Sequence, residues 1–356
     1  MSATTITTET ITDQPKLTLR PNPLVNEKTA LIEETAAKIS AGSYKDWRDD
    51  LLREGYVVIK GAIPKTKAES YQKDIFNWLE SFGTELNIQD KSTWKKENLP
   101  AASKISSFTK FSLPHEKFFW NIRQEKGFRD AFAKFWGTDE LLVSFDSINV
   151  AFPGLKDEEN ITSRPWPHVD QSPYRNGLAC IQGIAALSDA GPKDGSLIVY
   201  KNSHKYTEQF FREALDEESW SPRDNVAFTS EQLEWFEKKP DVQKLKVLVE
   251  PGDLILWDSR TIHYGAQPEA DSDTIRTVAY ISYSPANFAT EESLAKKKEV
   301  FEKWGGTSHW AHDNINPRLE RVYLPNGELD PRDKGEPSNK PDLTDDLLKL
   351  AGVKSY

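Results

Sequence analysis

The chain has a single cysteine, Cys180, among 356 residues. One thiol can build neither an intrachain disulfide nor a cysteine-based zinc site, so neither staples this fold. No apolar run reaches the roughly 18–20 residues that a membrane helix needs. Positive charge is in deficit: 46 Lys and Arg stand against 56 Asp and Glu, a formal charge of −10, with no basic cluster. That balance argues against nucleic acid and anionic membrane surfaces as partners. The Thr-rich N-terminus lacks the apolar core of a secretory signal. Lys354-Ser355-Tyr356 is not a peroxisomal address of the Ser-Lys-Leu kind. The expectation is a cytoplasmic protein whose partner is a small molecule; oligomeric state is not legible. What remains is ordinary globular composition, 37% hydrophobic and 29% charged, in a chain long enough to bury a sizeable core.

Residues 1–23 are polar and aperiodic and read as a flexible tail. Helices are expected over Leu24–Ser40 and Tyr44–Arg53, the second stopped by Gly55. Tyr56 to Gly61 is a β-rich run ending in a turn. Ala68–Phe82 carries a helical apolar stripe, and Phe118–Phe135 reads as one long aromatic helix. Leu141–Phe152 is β-like. From Pro165 to Ser284, short apolar runs alternate with Gly, Pro, Asp and Asn, as in a sandwich or barrel. Helical inserts at Tyr206–Leu215 and Ser230–Glu237 interrupt them, and Glu291–Trp304 reads as a late helix. The expected organisation is one domain over 24–310, with its β core at about 141–285, followed by an irregular tail at 311–356.

Two segments carry the chemistry. In Trp166-Pro167-His168-Val169-Asp170, a strand would turn His168 and Asp170 to one face, because residues i and i+2 share a side. Alone, such a His-x-acid pair is close to a chance match in so acidic a chain. The second segment strengthens it. After the Gly252-Asp253 turn comes the apolar run Leu254-Ile255-Leu256-Trp257, then His263, Gly265 and a strand bearing Arg276. A hairpin of that length would place Arg276 beside His263. An inward Arg needs an anion, and a carboxylate bound through two parallel hydrogen bonds is its natural partner. The plainer alternative is a salt bridge to one of the many acidic side chains. Two imidazoles, one carboxylate and one guanidinium suffice to hold Fe(II) and to anchor a dicarboxylic cosubstrate.

His168-Val169-Asp170, Asp194-Gly195-Ser196-Leu197, Asn202-Ser203-His204-Lys205, Gly252-Asp253, His263 and Arg276 together resemble the phytanoyl-CoA dioxygenase-like family of Fe(II)/2-oxoglutarate oxygenases. Gly55 to Pro64 is similar to that family's opening strand, and the likeness runs from about Leu51 to Pro285. It implies a mainly β fold, a double-stranded β-helix (jelly-roll, cupin-like) core with helices on one side. It also implies His168, Asp170 and His263 as iron ligands and Arg276 as the partner of the 2-oxoglutarate distal carboxylate. Fe(II) would be the metal, with 2-oxoglutarate and O2 as cosubstrates, and hydroxylation the usual outcome. Asp170 fills the ligand position that halogenating relatives leave to chloride, so halogenation is disfavoured. Relatives often carry a hydroxyl residue two positions after the distal histidine, where this chain has Gly265. Gln182 or Asn149 is a candidate to take over that cosubstrate contact, with a core role for either as the alternative.

Trp166 and Trp257 flank the ligand segments and are candidate pocket walls. Arg164, Tyr174 and Arg175 lie beside the metal strand as candidate contacts to an anionic substrate, against the plainer reading of a solvated loop. His204 reads as structural, with Ser203 capping the following helix. His115, His309 and His312 have no partner pattern and read as surface or loop residues. Two other functions fit less well: a non-oxidative metal-dependent isomerase or hydrolase on a cupin-type barrel, and a non-catalytic binding protein. The substrate is not legible, nor is the choice between hydroxylation and desaturation.

Overall fold

The computed structural model describes residues 22–102, 106–155, 165–269 and 271–356. Nearly all of the expected N-terminal tail, and Arg164, fall outside them. The helices are α1 (Thr29–Ser40), α2 (Trp47–Glu54), α3 (Lys65–Glu80), α4 (Lys117–Arg123), α5 (Lys126–Trp136), α6 (His204–Glu213), α7 (Ser230–Glu237), α8 (Glu291–Glu302) and α9 (Asp345–Leu350). Local chemistry sets several boundaries. Asp46 caps α2 by accepting from the Arg48 N–H, and Gly55, at φ +82°, ends it in the left-handed conformation.

One long helix was expected over Phe118–Phe135; there are two. The chain leaves the helix at Gln124 and Glu125, where tertiary partners take over. The Arg123 guanidinium donates to the Pro114 and Asp146 carbonyls, and Glu125 accepts from Tyr71 and pairs with Lys67.

The strands are β1 (Tyr56–Ile59), β2 (Ser107–Phe108), β3 (Leu141–Val143), β4 (Ile148–Ala151), β5 (His168–Val169), β6 (Ile181–Ala186), β7 (Ser196–Lys201), β8 (Val226–Ala227), β9 (Gln243–Lys246), β10 (Leu254–Asp258), β11 (His263–Ala266), β12 (Arg276–Tyr280) and β13 (Tyr283–Pro285). They form a six-stranded sheet in the order β1-β10-β6-β12-β4-β2 and a five-stranded sheet in the order β8-β5-β11-β7-β9, with β13 and β3 paired apart. Neighbouring strands are antiparallel throughout. The chain switches sheets repeatedly: β5 lies in the smaller, β6 in the larger, β7 in the smaller, and β10, β11 and β12 alternate again. Helix outweighs strand among the described residues, so the fold is mixed rather than mainly β.

The strand period of two sorts side chains between cores. On β10, Leu254 and Leu256 join the large helical core, while Ile255 and Trp257 join a second cluster with Leu197 and Val199 of β7. On β12, Val278 belongs to that second cluster and Ala279 to the helical core. Gly183 of β6 permits the close approach of α5: a Cβ there would lie 2.5 Å from the Ile281 carbonyl and 2.9 Å from Phe132. The resemblance implied helices on one side only. Here α6 and α7 also cover the smaller sheet, where Phe210, Phe211 and Phe236 pack on Val169, Ile198 and Tyr264.

The segment after Trp310 is irregular for most of its length but not peripheral. Trp310, Ile315, Val322, Leu347 and Leu350 are part of the main core.

Candidate metal centre

His168 and His263 are direct cross-strand partners, β5 to β11. Asp170 follows β5 at once. All three residues are buried, at most 7% exposed, and one ligating atom from each lies within 4.8 Å of the others. Backbone carbonyls set both rings. His168 Nδ1 lies 3.0 Å from the Trp166 carbonyl, and His263 Nδ1 lies 2.9 Å from that of Thr261. With Nδ1–H donated to a carbonyl, each Nε2 keeps its lone pair for a metal. Those Nε2 atoms stand 3.6 Å and 3.2 Å from the two Asp170 oxygens.

The carboxylate is held as well: Gln182 Nε2 donates to Oδ2 at 2.9 Å and Asn225 Nδ2 to Oδ1 at 3.2 Å. Burial pushes the His168 imidazolium down to about 4, helped by the neighbouring His263. Burial alone would raise Asp170, but the nearby imidazoles of His168, His309 and His263 outweigh it and hold the carboxyl well below its usual range. A neutral imidazole and an ionised carboxylate are the protonation states a metal requires. Two lone pairs and a buried carboxylate converging on one point fit a divalent cation of the non-haem iron type.

A hairpin was expected to bring Arg276 beside His263. Instead the chain crosses after β11, and Arg276 opens β12 in the other sheet, opposite Ala151. It therefore reaches the same cavity from the facing wall. Its partners are neutral: it donates to Asn149 Oδ1 and meets the Tyr280 hydroxyl. Arg276 is 5% exposed, and its Nε has no partner among the described residues. A cation so placed is costly to bury unless an anion completes it. Gly195 makes room for it, since a Cβ there would sit 3.1 Å from Arg276 Cδ.

Of the other candidates, Gln182, Asn149, Trp166 and Trp257 line the cavity. Gln182 spends its amide on Asp170, and Asn149 orients the Arg276 guanidinium. Trp166 stacks on His168 at 3.8 Å and 7°, and Trp257 lies 5.2 Å from His263.

Tyr174 and Arg175 do not line the cavity. Tyr174 packs on Trp220. The Arg175 loop is no solvated one either: its guanidinium donates from Nε to Asp224 at 2.7 Å and from Nη1 to Asp313 at 2.9 Å, and lies 4.1 Å over the Trp310 ring. Breaking a buried charge network strands its carboxylates, so Arg175→Met is expected to cost about 3–5 kcal/mol of stability. Denaturant unfolding measures this, and a loss within experimental error would show the network to be dispensable.

The expectations for His115 and for one cap are corrected, while His309 and His312 lie on irregular chain as loop residues. His115 and His312 are buried, not at the surface: His115 Nε2 bonds the Gly305 carbonyl at 2.7 Å, and His312 sits between Phe288 and Trp310. His309 lines the cavity. Ser203 does not cap α6; its hydroxyl accepts from the Ile262 N–H, tying the helix start to β11. Asn225 is a site residue without any signal in the sequence, since only the fold brings it to Asp170, whereas Tyr280 shares the face of Arg276 four positions along β12, a signal the strand period carried.

Residues 51–277 match the phytanoyl-CoA dioxygenase (PhyH) family. The Ava biosynthesis cluster protein O of Aspergillus versicolor is 39% identical over 274 residues, which cover 76% of this chain and 87% of that protein. Among solved structures, a hypothetical protein from Escherichia coli shares 15% identity with a TM-score of 0.57, covering 92% of this chain and 90% of its own. The non-heme alpha ketoglutarate dependent carbocyclase SnoK of nogalamycin biosynthesis shares 17% identity with a TM-score of 0.46, covering 69% and 86%. The chain belongs to the phytanoyl-CoA dioxygenase family. It is an Fe(II)/2-oxoglutarate-dependent dioxygenase, with O2 as the second cosubstrate. Among the described residues, no helix is long and apolar enough to cross a membrane.

Proposed function

We propose that this dioxygenase hydroxylates a small organic molecule, with His168, Asp170 and His263 holding Fe(II) and Arg276 holding the distal carboxylate of 2-oxoglutarate. The observation that carries the reading is the shared cavity: a buried His-Asp-His cluster on one wall and, on the other, an Arg276 with no anionic partner among the described residues. The two antiparallel sheets are read as the double-stranded β-helix. When bound, Fe(II) and 2-oxoglutarate supply O2 activation coupled to decarboxylation to succinate and CO2.

The chain's own residues do the rest. The Trp166 and Thr261 carbonyls keep both imidazoles in the ligating tautomer, and Gln182 with Asn225 fixes the carboxylate orientation. Asn149 aims the Arg276 fork, which sets the reach of the cosubstrate. Trp166 and Trp257 shield the ligand rings from water. Asp170 fills the third protein ligand position and leaves no vacancy there for a halide.

The reading is tested with isotopically labelled dioxygen. Succinate should carry one labelled oxygen, formed only with Fe(II) present, and a hydroxylated product should carry the other. An unlabelled, desaturated product would overturn hydroxylation. Absence of both succinate and an anaerobic Fe(II)–2-oxoglutarate absorption band would overturn the site assignment.

A further inference from the structure

His309 lies beyond the stretch matched to the family, on the irregular segment that follows α8. The fold nevertheless brings it to the metal cavity, near enough to influence His168 and Asp170 electrostatically. It is not part of the convergent ligand cluster, which is complete with His168, Asp170 and His263. Its Nε2 is shielded from solvent and has no hydrogen-bond partner among the described residues. An orphaned buried ring nitrogen is destabilising, a loss that a bound molecule can recover. Trp257, on the same cavity, likewise leaves its indole N–H without a partner among the described residues.

The segment is braced rather than loose. Arg175 bonds Asp313 and stacks on Trp310, and Asn314 Nδ2 donates to Asp224 at 2.6 Å, so the residues around His309 are tied to the loop that follows the metal strand. The position of the ring is thereby set before any ligand arrives.

The cavity suggests what that ligand is. Its volume is about 1150 Å3, above the range of roughly 300–1,000 Å3 common for small-molecule sites. Trp166, Trp257, Trp310 and Tyr280 line it together with Asn314 and Asn316. Flat rings suit aromatic surroundings. A flexible aliphatic chain would leave the two orphaned nitrogens desolvated and unpaired.

We propose that His309 is a substrate-contacting residue, its Nε2 hydrogen-bonding an oxygen or nitrogen function of a rigid, multi-ring substrate held beside the metal. The inference rests on the dioxygenase reading of the same site.

The test uses the full chain and its variants His309→Ala and His309→Gln. Each is first scored for the anaerobic Fe(II)–2-oxoglutarate absorption band. Failure of that band in the unmodified protein tells against the dioxygenase reading itself and is thereby separated from failure of the substrate contact. Succinate formation is then followed with two hydroxylated polycycles, emodin and genistein, and with palmitoyl-CoA as the aliphatic probe. The expected result is stimulation by a polycycle, with the half-saturating concentration raised about tenfold in His309→Ala, as loss of one hydrogen bond predicts. His309→Gln, whose amide can restore a polar atom near that position, should recover part of the loss. Equal half-saturation in the unmodified protein and His309→Ala overturns the contact. Stimulation by palmitoyl-CoA alone, or by none of the three probes, overturns the substrate class.

Discussion

Alanine at His168 or Asp170 is expected to abolish Fe(II)-dependent succinate formation while the far-UV spectrum stays that of a folded chain. Each variant removes one of three converging donors, and the two that remain cannot close the site around the ion. Neither change removes an apolar core side chain: His168 and Asp170 line the cavity. The loss of folding stability should therefore stay within about 0.5–3 kcal/mol. Iron retention, measured by metal analysis after desalting, should fall with activity. Protons act in the same direction. With the imidazole of His168 suppressed to about 4, they compete for it only as pH falls toward that value, and metal affinity drops there. Full activity in either variant would falsify the ligand assignment.

The second large effect is at Arg276. Arg276→Ala should raise the KM for 2-oxoglutarate by about two orders of magnitude, because a forked, charge-assisted pair is worth about 1.5–3 kcal/mol per bond and each 1.4 kcal/mol is tenfold. Arg276→Lys should fall between, since an ammonium keeps the charge but not the planar fork that Asn149 aims. The pattern to look for is a KM that rises more than kcat falls, because the contact holds the far end of the cosubstrate and not the reacting carbon. A KM within twofold of the unmodified value would place the anion elsewhere.

Much of the site was legible because it is local. His168-x-Asp170 shows a same-face pair through the period of a strand, and the order of turn, apolar run, histidine and arginine is visible in the chain. Gly55 could be read as a helix stop because a C-cap depends on a few neighbouring backbone groups, whereas Asp46, inside the expected Tyr44–Arg53 helix, turns out to be its N-cap. The failures are non-local. Residues 267–275 are long enough for a hairpin and long enough for a crossover, and only sheet packing decides that Arg276 faces His263 from the other sheet. The division of Phe118–Phe135 into α4 and α5 depends on carbonyls and side chains far along the chain. Arg175 announces a charge, but its carboxylate partners lie 49 and 138 residues away.

The sequence by itself determined the donor set, the class of metal it suits and the positions of the segments that carry it, because residue type and short-range periodicity encode these directly. Only the tertiary structure decided that Gln182 and Asn225 hold Asp170, that Asn149 aims Arg276, and that His309 reaches the cavity. Those roles arise where strands and loops distant in sequence are brought within hydrogen-bonding range, and burial then makes every unpaired polar atom count.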